Sequence, residues 1–329
     1  MNRETLLQRY AAGERNFRGV NLIGADLERA NLSGVDLTGA SLASANLGRA
    51  NLVGANLTDT FLYATNLTYA RLNQANLTNA DLTKANLQGA SLVRACLKGA
   101  KLSGAILAAV NLFASDLQEV NLCGGDLRGI NLRSANLRHA NLNWANLSGA
   151  RLSGAVLEGT LLRGVRLSEA FLNGIDLQGV DLDGVNFSHA KLNGANLSGA
   201  KLTAANFNGS QLRVANLTRA NLHAADLTEA DLSKAELTEA NLSKANLSQT
   251  VLTGADLTGA NLNAAILRGA NLIRASLQGA YLWSAKVNGA NLQNTNLTKA
   301  SLRGADLQDA DQTGAVWTAA VLPDGQVHP

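Results

Sequence analysis

Leucine recurs at every fifth residue, and this period does not slip between Phe17 and Leu322. Of the 62 positions in the series, 56 are leucine. Of the 61 residues that stand two before a central residue, 44 are alanine and the rest are small or β-branched. The central positions without leucine are Phe17, Phe187, Phe207, Val287, Gln312 and Trp317. A short, fixed period over most of a 329-residue chain indicates a repeat array instead of two globular domains.

A helix does not suit this period. Residues five apart on a helix are rotated by a net angle of about 140°, so the leucines would form no stripe to bury. In an extended segment residues two apart share a face, so the small residue and the leucine of each unit point the same way. The next inward pair begins three residues on, so the chain must turn, and 27 of the 31 glycines lie two after a central residue. The sequence predicts a β-solenoid with a corner in every unit.

Units such as Ala25-Asp26-Leu27-Glu28-Arg29 and Ala45-Asn46-Leu47-Gly48-Arg49 resemble the pentapeptide-repeat family, whose pattern is A-(D/N)-L-x-x. The resemblance covers residues 16–318. It implies an all-β fold, a right-handed quadrilateral parallel β-helix with four units per coil. At about 4.8 Å per coil, some fifteen coils would form a rod about 70–75 Å long.

The ends depart from the repeat, and they suggest three segments. Residues 1–15 form an N-terminal cap, in which Arg3 to Ala12 is a short amphipathic helix that Gly13 stops. Residues 16–318 form the solenoid, and residues 319–329 form a C-terminal tail. No C-terminal helix is expected, and the sequence leaves open how that end is capped.

Several protein classes do not fit the composition. The longest apolar run, Ala105 to Val110, is six residues, and the N-terminus has no apolar signal region. Cys96 and Cys123 make neither a disulfide framework nor a zinc spacing. The formal net charge of +3 does not by itself imply a nucleic-acid partner. A cytoplasmic protein without a membrane span is expected.

No catalytic constellation emerges from the repeat. His139, His189 and His223 fall on different sides of a 20-residue coil, and the two cysteines lie more than one coil apart. An uninterrupted solenoid offers no convergent loops around a pocket. We therefore expect no catalytic, metal or cofactor site, and no enzyme activity.

Charge is sorted by face when residues twenty apart are stacked. The face centred on Leu32, Leu52 and Leu72, here called the basic face, has a net outward charge of +6, against +3, −2 and −4 for the others. It also carries outward apolar side chains. The candidate partner-binding residues on it are Arg71, Arg94, Phe113, Arg133, Arg151, Phe171, Lys191, Arg213, Lys234 and Arg274.

A rival surface is the face centred on Leu22 and Leu42, here called the aromatic face. Aromatic residues and arginine are the usual anchors of protein interfaces. The candidate residues of this face are Phe61, Tyr63, Trp144, Tyr281 and Trp283.

These surfaces favour a non-enzymatic scaffold that presents flat faces to partner proteins of unknown identity. The resemblance also implies an alternative function, DNA mimicry that protects a topoisomerase such as gyrase. Mimicry requires dense negative charge, because DNA carries one negative charge per ~1.7 Å. The array has 22 acids and 25 bases, which does not fit this requirement. Nucleic-acid binding through the basic face is a further alternative, for which the bases are sparse and no recognition motif is present. End-to-end self-association is another alternative, and if neither face binds a partner, contact is expected at the ends, around Tyr10 or Trp317.

Overall fold

The computed structural model describes all 329 residues, which form two compact units, Met1–Arg166 and Leu167–Pro329. We call them the N-terminal and the C-terminal unit. Helix α1, Arg3–Ala11, is the only helix, and it is neither long nor apolar enough to cross a membrane. The remaining regular structure consists of single-residue β-bridges with turns between them.

Both units are built from parallel bridges between residues twenty apart. In the N-terminal unit the bridges run from Asn16↔Asp36 to Asn146↔Arg166, and in the C-terminal unit from Phe171↔Lys191 to Ser301↔Val321. A twenty-residue register holds four five-residue units, so each coil of this β-solenoid has four sides. The sequence period thus predicts the fold type, and the family resemblance predicts the register.

Backbone hydrogen bonds explain why each unit is so short. The Leu47 N–H donates to the carbonyl of Asn66 in the next coil (2.7 Å), and the Asn66 N–H donates back to Ala45 (3.0 Å). The Ala50 N–H then donates to the Leu47 carbonyl (3.0 Å) and closes a turn. One bridging residue and one turn therefore complete each side of the coil.

The third residue of each turn has a positive φ, as a type II turn requires. Glycine occupies this position at 27 places, as the sequence predicts. Another 34 residues there are not glycine, among them Trp144 and Val214, and their φ values lie between 52° and 62°. Tertiary context therefore imposes the left-handed conformation on more than half of the turns.

The core follows the predicted inward register. Nearly all central leucines and the small residues two before them are buried, including Leu147 and Ala145 in the N-terminal unit, and most exceptions lie in the first and last coils. In the C-terminal unit Phe187 and Phe207 replace leucine in adjacent coils, and their rings stack with centroids 4.8 Å apart. Leucine stacks therefore fill the interior of both units.

The N-terminal unit begins with the predicted helix, which ends one residue earlier than expected. Asn2 caps α1 by accepting a hydrogen bond from the Thr5 N–H (2.9 Å), and Leu6 is fully buried. The Tyr10 hydroxyl donates to the carbonyl of Ser33 (2.7 Å). The helix is thus fixed onto the first coils.

The C-terminal unit ends in a hairpin. Val321 and Val327 form an antiparallel bridge, and the Leu322 N–H donates to the Gln326 carbonyl (2.8 Å). On the other sides of the last coil, Trp317 is partly exposed and Gln312 is exposed. The division at residues 15 and 318 stays a prediction from the sequence.

Candidate protein-interaction surface

Asparagine side chains hold the outward faces in a fixed geometry. The Asn46 Oδ1 accepts a hydrogen bond from the Gly48 N–H (3.2 Å) in its own turn and one from the Nδ2 of Asn66 (2.8 Å) in the next coil. The first bond is an Asx-turn, and the second extends a ladder along the face. Variable side chains therefore sit on a rigid grid that repeats about every 4.8 Å.

The basic face of the N-terminal unit contains arginine and no other charged residue. Its charged residues are Arg71, Arg94, Arg133 and Arg151, which are all exposed. No carboxylate pairs with Arg71, Arg94 or Arg133. Three guanidinium groups on one flat face are thus available to an anionic partner.

Ion pairs between coil residues of this unit lie on the two faces that adjoin the basic face. Arg18 pairs with Asp36 (2.7 Å), and Arg138 pairs with Glu158 (3.0 Å). A further pair joins Arg128 to Asp126, and the hydrogen bonds from its guanidinium lower the pKa of the Asp126 carboxyl. Cations there are neutralised locally, which sets the basic face apart.

The predicted apolar anchors of the basic face are only half exposed. Arg133 lies over the ring of Phe113, with its guanidinium carbon 5.7 Å from the centroid. In the C-terminal unit the Lys191 ammonium lies 4.7 Å from the centroid of Phe171. Both contacts are cation–π interactions, which a sequence position alone does not reveal.

The basic face of the C-terminal unit has mixed charge. Arg213 approaches Asp231 at 3.8 Å, while Lys234 and Arg274 are exposed without an ion pair. Val214 lies in the same coil as Arg213, one coil before Lys234, and 64% of its surface is exposed. Its φ of 55° is unfavourable for a β-branched residue. The face is therefore less uniformly basic here than in the N-terminal unit.

The aromatic face carries most of the exposed aromatic rings. In the N-terminal unit Phe61 is 56% exposed, Tyr63 41% and Trp144 60%. The Trp144 indole lies above Gly164 of the next coil, where a Cβ atom would come within 2.3 Å of the ring. Leu161 is also exposed on this face. Phe61 and Tyr63 form one patch, and Trp144 and Leu161, which lie in successive coils, form a second.

The C-terminal unit repeats one of these patches. Tyr281 and Trp283 flank the buried Leu282, just as Phe61 and Tyr63 flank Leu62, and both are more than half exposed. The structure also exposes Tyr69 and Ile106, which lie on a third face and which the face-by-face prediction omitted. A complete census of outward positions would have found both from the sequence.

Titratable side chains do not assemble into a recognisable reaction centre. His223 and Ser243 are hydrogen-bonded (2.8 Å between Nδ1 and Oγ), but His139 and His189 lie exposed on other faces. No group of three His, Cys, Asp or Glu side chains is placed to hold a metal ion. A shallow depression of about 210 Å³ in the N-terminal unit is lined by Asp59, Thr60, Phe61, Asn79, Asp81 and Lys101.

The fold and its surfaces together define a class: repeat solenoids whose outward faces vary while the core stays constant. The family model for pentapeptide repeats matches residues 16–108 and 115–311 in overlapping copies. The chain therefore belongs to the pentapeptide-repeat family, as its A-(D/N)-L-x-x units predict.

Solved structures of pentapeptide repeat proteins are similar in sequence. HetL from the cyanobacterium Nostoc sp. strain PCC 7120, which is involved in heterocyst differentiation regulation, is 31% identical over 100% of both chains, with a TM-score of 0.26. Rfr23 from the cyanobacterium Cyanothece 51142 is 26% identical over 50% of this chain and 96% of its own, with a TM-score of 0.22.

A more distant similarity is to QnrB1, a plasmid-mediated fluoroquinolone resistance protein. It is 21% identical over 61% of this chain and 90% of its own, with a TM-score of 0.26. Curated proteins give no match to the sequence.

Proposed function

We propose that this protein is a non-enzymatic scaffold that presents its faces to partner proteins. The supporting observation is the acid-free arginine surface on the basic face of the N-terminal unit, where Arg71, Arg94 and Arg133 have no carboxylate partner. Exposed, unneutralised arginines are common anchors of protein interfaces. Because leucine side chains fill the interior, the outward faces are the surface available for function.

The finer architecture is part of the same proposal. A right-handed quadrilateral helix of about fifteen coils provides flat sides on which partner proteins bind. We place the protein in the cytoplasm, where the free thiols of Cys96 and Cys123 would stay reduced.

Site-specific photo-crosslinking tests the scaffold and identifies the face that binds. A benzophenone side chain at Ala114 reports on the basic face, one at Ala64 on the aromatic face and one at Ala109 on an adjoining face. All three alanines occupy the same left-handed turn position, so the variants are matched. We expect a defined partner protein to crosslink at Ala114 in extracts of the source organism. The absence of a defined partner at all three positions would overturn the proposal.

The aromatic face is a second candidate surface, because most of the exposed aromatic rings lie on it. Trp144→Ser should weaken a partner that binds there by about 1–3 kcal/mol. A crosslink at Ala64 without one at Ala114 would assign binding to this face.

DNA mimicry is the weaker alternative, since it requires dense negative charge. The basic face of the N-terminal unit has four arginines and no acid. We therefore expect no inhibition of gyrase supercoiling at micromolar protein, as measured on relaxed plasmid. Clear inhibition at that concentration would favour mimicry over the scaffold.

Self-association is a third candidate, at the last coil of the C-terminal unit. The N–H groups of Leu307, Gln312 and Trp317 have no acceptor there, whereas the matching groups of earlier coils pair with the following coil. We expect light scattering to show that the intact protein is a dimer and that the Trp317→Asp variant is a monomer. A monomer at all concentrations would exclude this contact.

A further inference from the structure

We infer that the basic face of the N-terminal unit binds an extended acidic polypeptide segment with a carboxylate at every second position, so that its carboxylates share one face. This inference rests on the proposed scaffold function and names the chemistry of its partner. Three features support it: the charge of the face, the spacing of its arginines and the apolar side chains between them.

The arginines of the face favour an anionic group that can accept two parallel hydrogen bonds, such as a carboxylate. Between Asn31 and Gly154 the face has arginine as its only charged residue type. A guanidinium group matches the geometry of a carboxylate and donates two parallel hydrogen bonds to it. Arg71, Arg94 and Arg133 are exposed and have no carboxylate partner of their own. An external carboxylate would therefore meet no competing acid on this face.

The spacing of the arginines matches an extended chain laid along the solenoid axis. Arg71 and Arg94 belong to successive coils, and Arg133 lies two coils further on. At about 4.8 Å per coil, Arg71 and Arg133 are about 14 Å apart along the axis. An extended chain places side chains of one face about 6.6 Å apart. A segment of five or six residues thus spans all three guanidinium groups.

Apolar side chains lie among the arginines and favour polypeptide over nucleic acid. Val93 and Phe113 follow one another in successive coils, half buried, and Arg133 covers the ring of Phe113. They offer contact area to the methylene groups of glutamate side chains, whose carboxylates reach the arginines. A DNA duplex brings about eight phosphate charges over the same 14 Å, far more than three arginines neutralise.

Fluorescence anisotropy on the intact protein tests this inference. The probe is a labelled twelve-residue peptide of alternating glutamate and valine, compared with one of alternating lysine and valine and with a 20-base-pair duplex. The test variant combines Arg71→Gln, Arg94→Gln and Arg133→Gln. The matched control combines Arg29→Gln, Arg49→Gln and Arg163→Gln, which removes three exposed charges from other faces of the same unit.

We expect the glutamate peptide to bind the wild type, and the test variant to bind it at least tenfold more weakly. The control should stay within about twofold of the wild type, and the lysine peptide should not bind. Equal losses in both variants would show attraction by net charge alone and overturn the inference. Tighter binding of the duplex than of the peptide would also overturn it and would favour a nucleic-acid partner.

The scaffold and this inference fail in different ways. If a partner crosslinks at Ala114 but its affinity is unchanged in the test variant, the scaffold stands and the acidic-segment inference is wrong. If no partner crosslinks at any of the three positions, the scaffold itself is wrong, whatever the peptide does.

Discussion

At the scale of single residues, inward threonines show how the core accommodates a polar atom. The hydroxyls of Thr65, Thr160 and Thr250 each donate to the carbonyl of the residue 23 positions earlier, at 2.7–2.8 Å. Ser210 occupies the same inward position, but its buried hydroxyl has no partner. Ser115, also at an inward position, donates to a backbone carbonyl of its own turn (2.6 Å), so Ser210 is the one buried hydroxyl left unsatisfied.

Replacing Ser210 by alanine should therefore stabilise the protein. Ser210→Ala removes an unpaired buried hydroxyl, and we expect a gain of about 1 kcal/mol in the free energy of unfolding. Thr250→Ala is the control, since it breaks a hydrogen bond and should cost about 1 kcal/mol or more. The midpoint of urea denaturation reports both. A destabilised Ser210→Ala variant would mean that the hydroxyl is satisfied in solution.

Non-glycine residues in the left-handed turn position lead to a second stability prediction. Ala224 has a φ of 55° and is exposed. A left-handed conformation costs an L-residue about 1–2 kcal/mol, and glycine loses about 0.5–1 kcal/mol of chain entropy relative to alanine. Ala224→Gly should thus stabilise by about 0.5–1 kcal/mol. The adjacent Ala225→Gly should destabilise, since Ala225 is buried and has no positive φ. Thermal denaturation of both variants distinguishes the two effects.

At the scale of elements, α1 closes the first coil of the N-terminal unit through one fully buried side chain, Leu6. A solenoid is stabilised coil by coil, so losses at a cap remain local. Leu6→Ala should cost about 2–5 kcal/mol, and the loss should appear mainly in the coils beside the helix.

Hydrogen exchange gives the readout for this variant. The amides of Phe17 and Gly19, which donate to Asp36 and Thr38, should exchange faster in Leu6→Ala, while the amide of Leu92 should not change. Leu7→Ala is the control because Leu7 is only half buried. Uniformly faster exchange through the whole unit would show that the coils unfold together.

Sequence reasoning predicts these elements well, because the pattern that specifies them is local and repeated. The period dictates inward leucines and a turn in every unit, and Leu6 and Tyr10 indicate the capping helix. The sequence does not predict the C-terminal hairpin of Val321 and Val327, since an irregular ending lacks a repeated signal. It also does not predict which rings are covered, because the contact of Arg133 with Phe113 joins side chains from different coils.

At the scale of the whole molecule, function depends on which residues share a face, and the twenty-residue register decides that. Each five-residue unit turns the chain by one side of the coil, whereas four units return it to the same side. Arg94 and Arg133 therefore share the basic face only because the number of units between them is a multiple of four. Charge sorted by face is thus a property of spacing as much as of composition.

This dependence on register leads to a series of insertion variants. The neutral unit Ala-Asn-Leu-Ser-Gly, copied from Ala145–Gly149, can be inserted between Gly124 and Gly125 in one to four copies. Each copy supplies its own leucine and turn glycine, so the fold should persist, as circular dichroism would verify. One, two or three copies move Arg133 to another face, and we expect at least fivefold weaker binding of the glutamate–valine peptide. Four copies restore the alignment and lengthen the gap by about 4.8 Å, so most of the affinity should return. Binding that declines steadily without recovery at four copies would show that distance along the axis, and not a shared face, determines recognition.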